Sequence, residues 1–287
     1  MRGPTTVVRH TGGKTSVGDV CLPPDPQTDG PGWRGLQRVH AASIGGRDFD
    51  VLIDDVDPFR FPESERLVLV EHQPTSGWAR VLTEGWEVLR AYHSRVAAEI
   101  AAAVTVITPV SGTSGRSASA SSPAVFGSVA MSRPLDAVSC AETLTHEVHH
   151  IKLGALLDFL PLTRPDDGRQ YYAPWRDDPR PLGGLLQGAY AYLGVSGFWR
   201  RQRAQAGYSQ RGDALYARWR AAAKLVVDIM LASDGLTGAG WEFVAGMKVT
   251  LDAWQQEHVN PDALARAERA ARQHRSRWEA ANGPVCT

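Results

Sequence analysis

The chemistry that can be read from this chain is concentrated in the stretch AETLTHEVHHIKLGALL, residues 141–157. His146, Glu147 and His150 form an H-E-x-x-H pattern, with His149 between them. On a helix, residues four apart lie one turn above each other, which brings the two imidazoles to about 6 Å, close enough to share a divalent metal. Glu147 is rotated off that face but reaches a metal-bound water or a substrate beside the metal. His149 turns away from the shared face. Chance produces such a pattern on the order of once per hundred chains of this composition. The context is also right: Asp136, after Pro134, reads as a helix start, and no proline interrupts 138–157. The bland alternative is a surface helix that happens to carry three histidines.

The pattern needs completing. In zinc peptidases the glutamate activates a zinc-bound water, and a third protein ligand is required. The extended motif with glycine and a third histidine fails here, because Leu153 and Leu156 stand at those positions. No histidine follows His150 until His258, and no glutamate follows Glu147 until Glu242. Asp166, Asp167, Asp177 and Asp178 remain as carboxylate candidates. A site of two histidines, a weaker third ligand and open positions suits non-haem Fe(II) as well as Zn. Glu142, four residues before His146, is placed to support that imidazole from behind or simply to form a surface i,i+4 pair.

The elements that must position these residues follow from composition and periodicity. A chain of 287 residues can bury a full core, and 43% apolar with 22% charged residues is a globular composition. Zero net charge argues against nucleic acid or an anionic membrane as a partner. Cys21, Cys140 and Cys286 are too few and too dispersed for a disulfide framework or a zinc knuckle. With no apolar run near 18 residues and no signal-peptide core, the expected setting is reducing and cytoplasmic, without a membrane partner.

Residues 1–34 are rich in Gly, Pro, Thr and Asp and read as a flexible arm. A hairpin is expected over 37–54 around Gly45-Gly46, then an acidic loop, then one long helix over 76–103 with His93 beside its apolar stripe. VTVIT is a short strand, 111–123 a Ser/Gly loop, and AVFGSVAM (124–131) a strand leading into the histidine helix. After that helix comes a polar, aromatic, proline-rich connection holding Tyr171, Tyr172, Trp175, Arg176 and Arg180. Helices are expected at about 183–204, 210–233, 239–258 and 261–281. The last carries Arg266, Arg269, Arg272, Arg275 and Arg277, a solvated basic face or a peptide-docking surface. The expected fold is mainly α with a small N-terminal β element (α+β), the histidine motif on a central helix, and too few strands for a jelly-roll. A single catalytic domain is expected over 35–282, in one or two lobes, with a tail at 283–287.

The stretches AVFGSVAMSRPLDAVSCAETLTHEVHHIKLGALLDFLPL, YYAPWRDDPRPLGGLLQGAYAYLGVSGFW and FDVLIDDVDPFR resemble the HExxH-domain proteins of bacterial peptide modification. These stand alone or fused to radical-SAM peptide-modifying enzymes, and act as Fe(II)- and 2-oxoglutarate-dependent β-hydroxylases of ribosomally made precursor peptides. The resemblance covers about residues 35–280. It implies that His146 and His150 bind iron, that the PWRDDPRPLGGLLQG segment completes the site, that a precursor peptide is the substrate, and that a radical-SAM enzyme is a further partner. Where members of the family commonly have histidine, this chain has Gln187.

Within that reading, 2-oxoglutarate chelates the metal and its far carboxylate needs a fork of N–H donors, for which Arg176 or Arg180 is the natural clamp. Both arginines are equally suited to pair with Asp177 or Asp178. Gln187 is expected to be the third protein ligand or to lie within hydrogen-bonding reach of one. Glu147 then orients a ligand, bonds substrate or coordinates the metal. A zinc hydrolase, and a metal-free module that binds a leader peptide, are the alternatives.

Overall fold

The computed structural model describes residues 6–41, 48–61, 68–70, 75–112, 117–205, 207 and 209–283. About 53% of it is helical, with seven α-helices and two small sheets among the described residues. It is a mainly α, α+β fold and not a jelly-roll. The chain divides into two compact units, Met1–Glu87 with Ala101–Cys140, and Val88–Ile100 with Ala141–Thr287. No linker composition marks the boundary, because helices run through it.

In the first unit, β1 (Val8–Thr11), β2 (Lys14–Val17) and β3 (Val20–Cys21) form an antiparallel sheet. This corrects the expectation of a flexible arm over 1–34. The two-residue loop Gly12-Gly13 has φ of 59° and 77°, the twist that closes a tight hairpin, with Thr11 opposite Lys14. Turn chemistry prevails here over a composition that otherwise reads as unstructured.

The second sheet has the order β4-β5-β6-β8-β7. β4 (Gln37–Ala41) and β5 (Phe49–Ile53) are antiparallel, as the hairpin reading requires; its Gly45-Gly46 turn lies outside the described residues. β6 (Val106–Pro109) pairs parallel with β5 and with β8 (Ser128–Met131). β7 (Ser119–Ser121) adds an antiparallel edge within the expected Ser/Gly loop. The strand expected over 124–131 is shortened to β8, because Pro123–Val125 forms a 3-10 turn and Gly127 follows at φ 87°. Helix α1 (Thr75–Tyr92) buries Trp78 and Trp86, and Trp86 stacks on Phe49 at 5.0 Å.

The long helix expected over 76–103 is two helices. α1 gives way at His93 to α2 (Ser94–Ala103), although the hydrogen bonds His93 N–H to Leu89 O and Ala97 N–H to His93 O persist through the break. The His93 ring is fully buried, stacks on Phe198 at 4.3 Å and donates from Nε2 to Gln202 Oε1 at 3.2 Å.

The second unit is a helical assembly. α3 (Ala137–Leu157) starts on a reciprocal cap, in which Ser139 N–H donates to Asp136 Oδ1 at 2.7 Å and Asp136 N–H to Ser139 Oγ at 3.1 Å. α4 (Leu182–Gln202), α5 (Ser209–Ala232), α6 (Gly238–Gln255) and α7 (Pro261–Asn282) follow close to the expected bounds. Their core holds Leu153, Leu186, Val226, Met230, Val244 and Leu251. Each such side chain contributes about 1.5–3 kcal/mol on burial.

Candidate metal centre

α3 is apolar on most of its circumference, with Leu144, Val148, Ile151 and Leu153 all buried. A helix enclosed in this way carries its polar residues inward with the rest. His146 and His150 accordingly face each other: their Nε2 atoms lie 3.1 Å apart and their rings meet edge to face at 4.7 Å. The spacing of four has the consequence anticipated from helix geometry.

Gln187, on the first turns of α4, reaches this pair. Its Oε1 lies 3.0 Å from Nδ1 of His150. An amide oxygen only accepts, so Nδ1 carries the proton and Nε2 of His150 is left with its lone pair toward His146. Of the two places considered for Gln187, the geometry gives the one within hydrogen-bonding reach of His150, on the ring nitrogen that does not face the other imidazole.

Glu147 is 1% exposed. One carboxylate oxygen, Oε1, lies 4.0 Å from Nε2 of His146, and the other, Oε2, is buried without a hydrogen-bond partner among the described residues. Burying a carboxylate oxygen unpaired costs several kcal/mol unless a cation or a proton compensates. Burial first, then the neighbouring His150 and His149, push the His146 imidazole well below its ordinary range, so it is neutral and available as a ligand.

An aromatic cluster lies against His146. Tyr192 meets His146 edge to face at 5.2 Å, with Trp175 stacked on it at 4.7 Å and Trp219 against it at 4.4 Å. Burial, then the nearby Glu142 carboxylate, raise the Tyr192 phenol so that it keeps its proton. Gly188 makes room for Trp175: a Cβ there would lie 2.5 Å from the indole nitrogen. Tyr192 and Gly188 are functional neighbours that the sequence reading does not single out. The available signal is their spacing of four, which puts a gap and a ring on one helix face.

The other anticipated residues lie as follows. Glu142 Oε1 accepts from Trp199 Nε1–H at 2.8 Å, which anchors α3 to α4. His149 is turned away as expected, with Nδ1–H donating to Thr145 O at 2.7 Å, and burial takes its imidazole down to about 4. Its ring lies against Gly194, where a Cβ would come within 2.4 Å. Arg176 and Arg180 are both engaged by Asp178: Arg176 Nε–H donates to Oδ1 at 2.8 Å and Arg180 to Oδ2 at 3.4 Å. Burial opposes ionisation of Asp178, but the Arg176 hydrogen bond and charge hold its carboxyl below the usual range. Tyr171 and Arg180 are bridged through their backbones, which closes this loop.

Among the described residues no three His, Cys, Asp or Glu side chains converge to hold a metal ion. The residues present nonetheless fit a divalent cation held by two imidazoles. Two nitrogens 3.1 Å apart match one edge of a coordination shell with metal–nitrogen bonds of ~2.1 Å. A cation there would also lie beside the orphaned Glu147 carboxylate. Without one, the same contact is an N–H···N bond from His146 to His150. In comparison with known proteins, the chain matches no family model and no curated protein. None of the helices among the described residues is long and apolar enough to cross a membrane.

Proposed function

We propose that this chain is an Fe(II)- and 2-oxoglutarate-dependent oxygenase that hydroxylates a β-carbon in a ribosomally made precursor peptide, as its resemblance to the HExxH peptide hydroxylases implies. The observation that supports it best is the pair of imidazoles with Nε2 atoms 3.1 Å apart. Two protein nitrogens leave positions for a chelating co-substrate; a third protein ligand is usual for catalytic zinc and for non-haem Fe(II) alike, so it is the resemblance that favours iron. In the balanced reaction one oxygen atom of O₂ enters the peptide C–H bond. The other enters 2-oxoglutarate, which loses CO₂ and leaves as succinate.

Bound iron and 2-oxoglutarate supply the oxidation of the C–H bond. The chain's own residues bind, orient and exclude. His146 and His150 hold the cation through Nε2. Gln187 keeps the His150 proton on Nδ1. Tyr192, backed by Trp175 and Trp219, packs against one edge of the His146 ring and limits its movement. Glu147 Oε2 is a buried acceptor for a substrate or co-substrate donor. For Arg176 or Arg180 to clamp the far carboxylate of 2-oxoglutarate, the incoming carboxylate must take the place of Asp178. A radical-SAM peptide-modifying enzyme is the further partner that the resemblance suggests.

A zinc hydrolase is the second reading, favoured by the buried Glu147 carboxylate, whose Oε1 lies 4.0 Å from Nε2 of His146 and whose Oε2 has no partner among the described residues, where a general base would activate water. Anaerobic purification with metal analysis, followed by assay with 2-oxoglutarate and candidate peptides, separates the two. Bound iron with succinate release is the expected outcome. Bound zinc with peptide cleavage and no succinate overturns the oxygenase reading.

A further inference from the structure

The basic face of α7 noted in the sequence belongs to a formed cleft. A groove of about 380 Å³ runs along the seam of α5 and α7. Its apolar lining includes Ala217, Ala221 and Leu225 on one helix and Leu264, Ala267 and Ala271 on the other, with Tyr172 and Pro174 from the connecting loop. The helical positions recur at spacings of three and four, so each helix turns one stripe toward the groove, and the short alanines leave the seam as a trough. Leu225 and Leu264 are 37% and 40% exposed, so the trough is open to solvent. Its rim is cationic, with Arg218, Arg272 and Arg275 against the single acid Glu268. Arg272 and Arg275 have their own partners in Glu268 and Glu279. Arg218 stacks on Trp219 at 4.4 Å and has no carboxylate within ion-pair distance among the described residues.

We infer that this cleft binds an acidic amphipathic peptide segment. Length argues for a segment rather than a compact metabolite. The lining extends over nine residues of α5 and twelve of α7, from 217 to 225 and from 264 to 275, or ~12 and ~16 Å of helix. The apolar stripe receives aliphatic side chains at a repeat of three or four, and the guanidiniums receive the carboxylates between them. The cleft's lining includes none of His146, Glu147, His150 and Gln187, and the inference stands whether or not the oxygenase reading holds.

The test uses the full chain without added metal, so that failure of the metal chemistry cannot affect it. The probe is a fluorescein-labelled twelve-residue peptide with leucines spaced three and four apart and glutamates between them, and its control has lysines for glutamates. Anisotropy should show the acidic peptide binding at least about tenfold more tightly than the basic one, and more weakly as salt is raised. Arg218→Glu and Arg272→Glu should each weaken it by about fivefold or more. Ala221→Leu, which fills the trough, should do the same; if it does not fold, the two arginine variants decide. Equal binding of both peptides, affinity unchanged in the arginine variants, or no saturation by about 1 mM would overturn the inference. So would displacement of the peptide by hexanoate at equal concentration, since the site would then be one for small carboxylates.

Discussion

Oε1 of Gln187 sits 3.0 Å from Nδ1 of His150, while Nε2 of the same ring faces Nε2 of His146 at 3.1 Å. One imidazole is thus held from behind by an amide on another helix and presents its lone pair forward. Such outer partners typically carry a 10–100-fold share of metal affinity. Gln187→Ala should therefore weaken Co(II) binding by about that factor without abolishing it. Gln187→Glu, a stronger acceptor on the same nitrogen, should restore or exceed the original affinity. Visible absorption of the Co(II) complex reports both. Complete loss in Gln187→Ala would make the amide a ligand.

In the proposed site both facing Nε2 atoms hold the cation. His146→Ala and His150→Ala should each reduce metal binding to background, with helicity retained because alanine is the best helix former. His149→Ala should leave it within about threefold, since that ring faces Thr145 O and Gly194. Isothermal titration with Zn(II) or Co(II) distinguishes the three. Retention of metal by His150→Ala with loss in His149→Ala would contradict the geometry.

The helical half of the molecule was legible because its periodicity is strong. α3 to α7 begin and end within a few residues of where apolar spacing puts them. The β half was less so. β7 is the polar edge strand Ser119–Ser121, whose Ser-Ala-Ser sequence carries no strand preference and forms because β8 offers an open edge. At the site, His146, Glu147 and His150 were readable from spacing alone. Gln187 came from the resemblance, helped by its isolation in an apolar run. Tyr192 had only its spacing of four from Gly188 to mark it, because its packing depends on Trp175 arriving from a loop whose path no local pattern fixes.

His93 sets a pH dependence that needs no metal. Burial takes its imidazole down to about 4, against the Gln202 hydrogen bond and with the charge of Arg201. The unfolded chain takes up this proton near 6.5 and the folded chain only near 4. Between those values the unfolded state binds more protons, so stability rises with pH through the window and is lost as pH falls. The contribution is on the order of 3 kcal/mol by pH 4. His93→Gln, which can still bond Gln202 but does not titrate, should flatten this part of the profile. Urea denaturation of metal-free protein at several pH values between 7 and 4 measures it, and parallel profiles for both proteins would assign the dependence to other groups.

Two helix glycines should respond to alanine with opposite sign. At exposed Gly246 of α6 an added Cβ meets nothing within 4 Å. Gly246→Ala should stabilise by about 0.5–1 kcal/mol through helix propensity alone. At Gly188 of α4 the same methyl lies 2.5 Å from Trp175 Nε1 and 2.6 Å from its ring carbons. Trp175 cannot yield without leaving Tyr192, on which it is stacked at 4.7 Å, and Tyr192 in turn packs against His146. The overpacking cost of about 1–3 kcal/mol outweighs the propensity gain, so Gly188→Ala should be destabilised overall. It should also loosen the aromatic cluster against His146, read as faster exchange of the Trp175 indole N–H and weaker Co(II) binding. A stabilised Gly188→Ala with unchanged Co(II) affinity would mean that Trp175 does not pack there, and the aromatic packing against His146 would have to be redrawn.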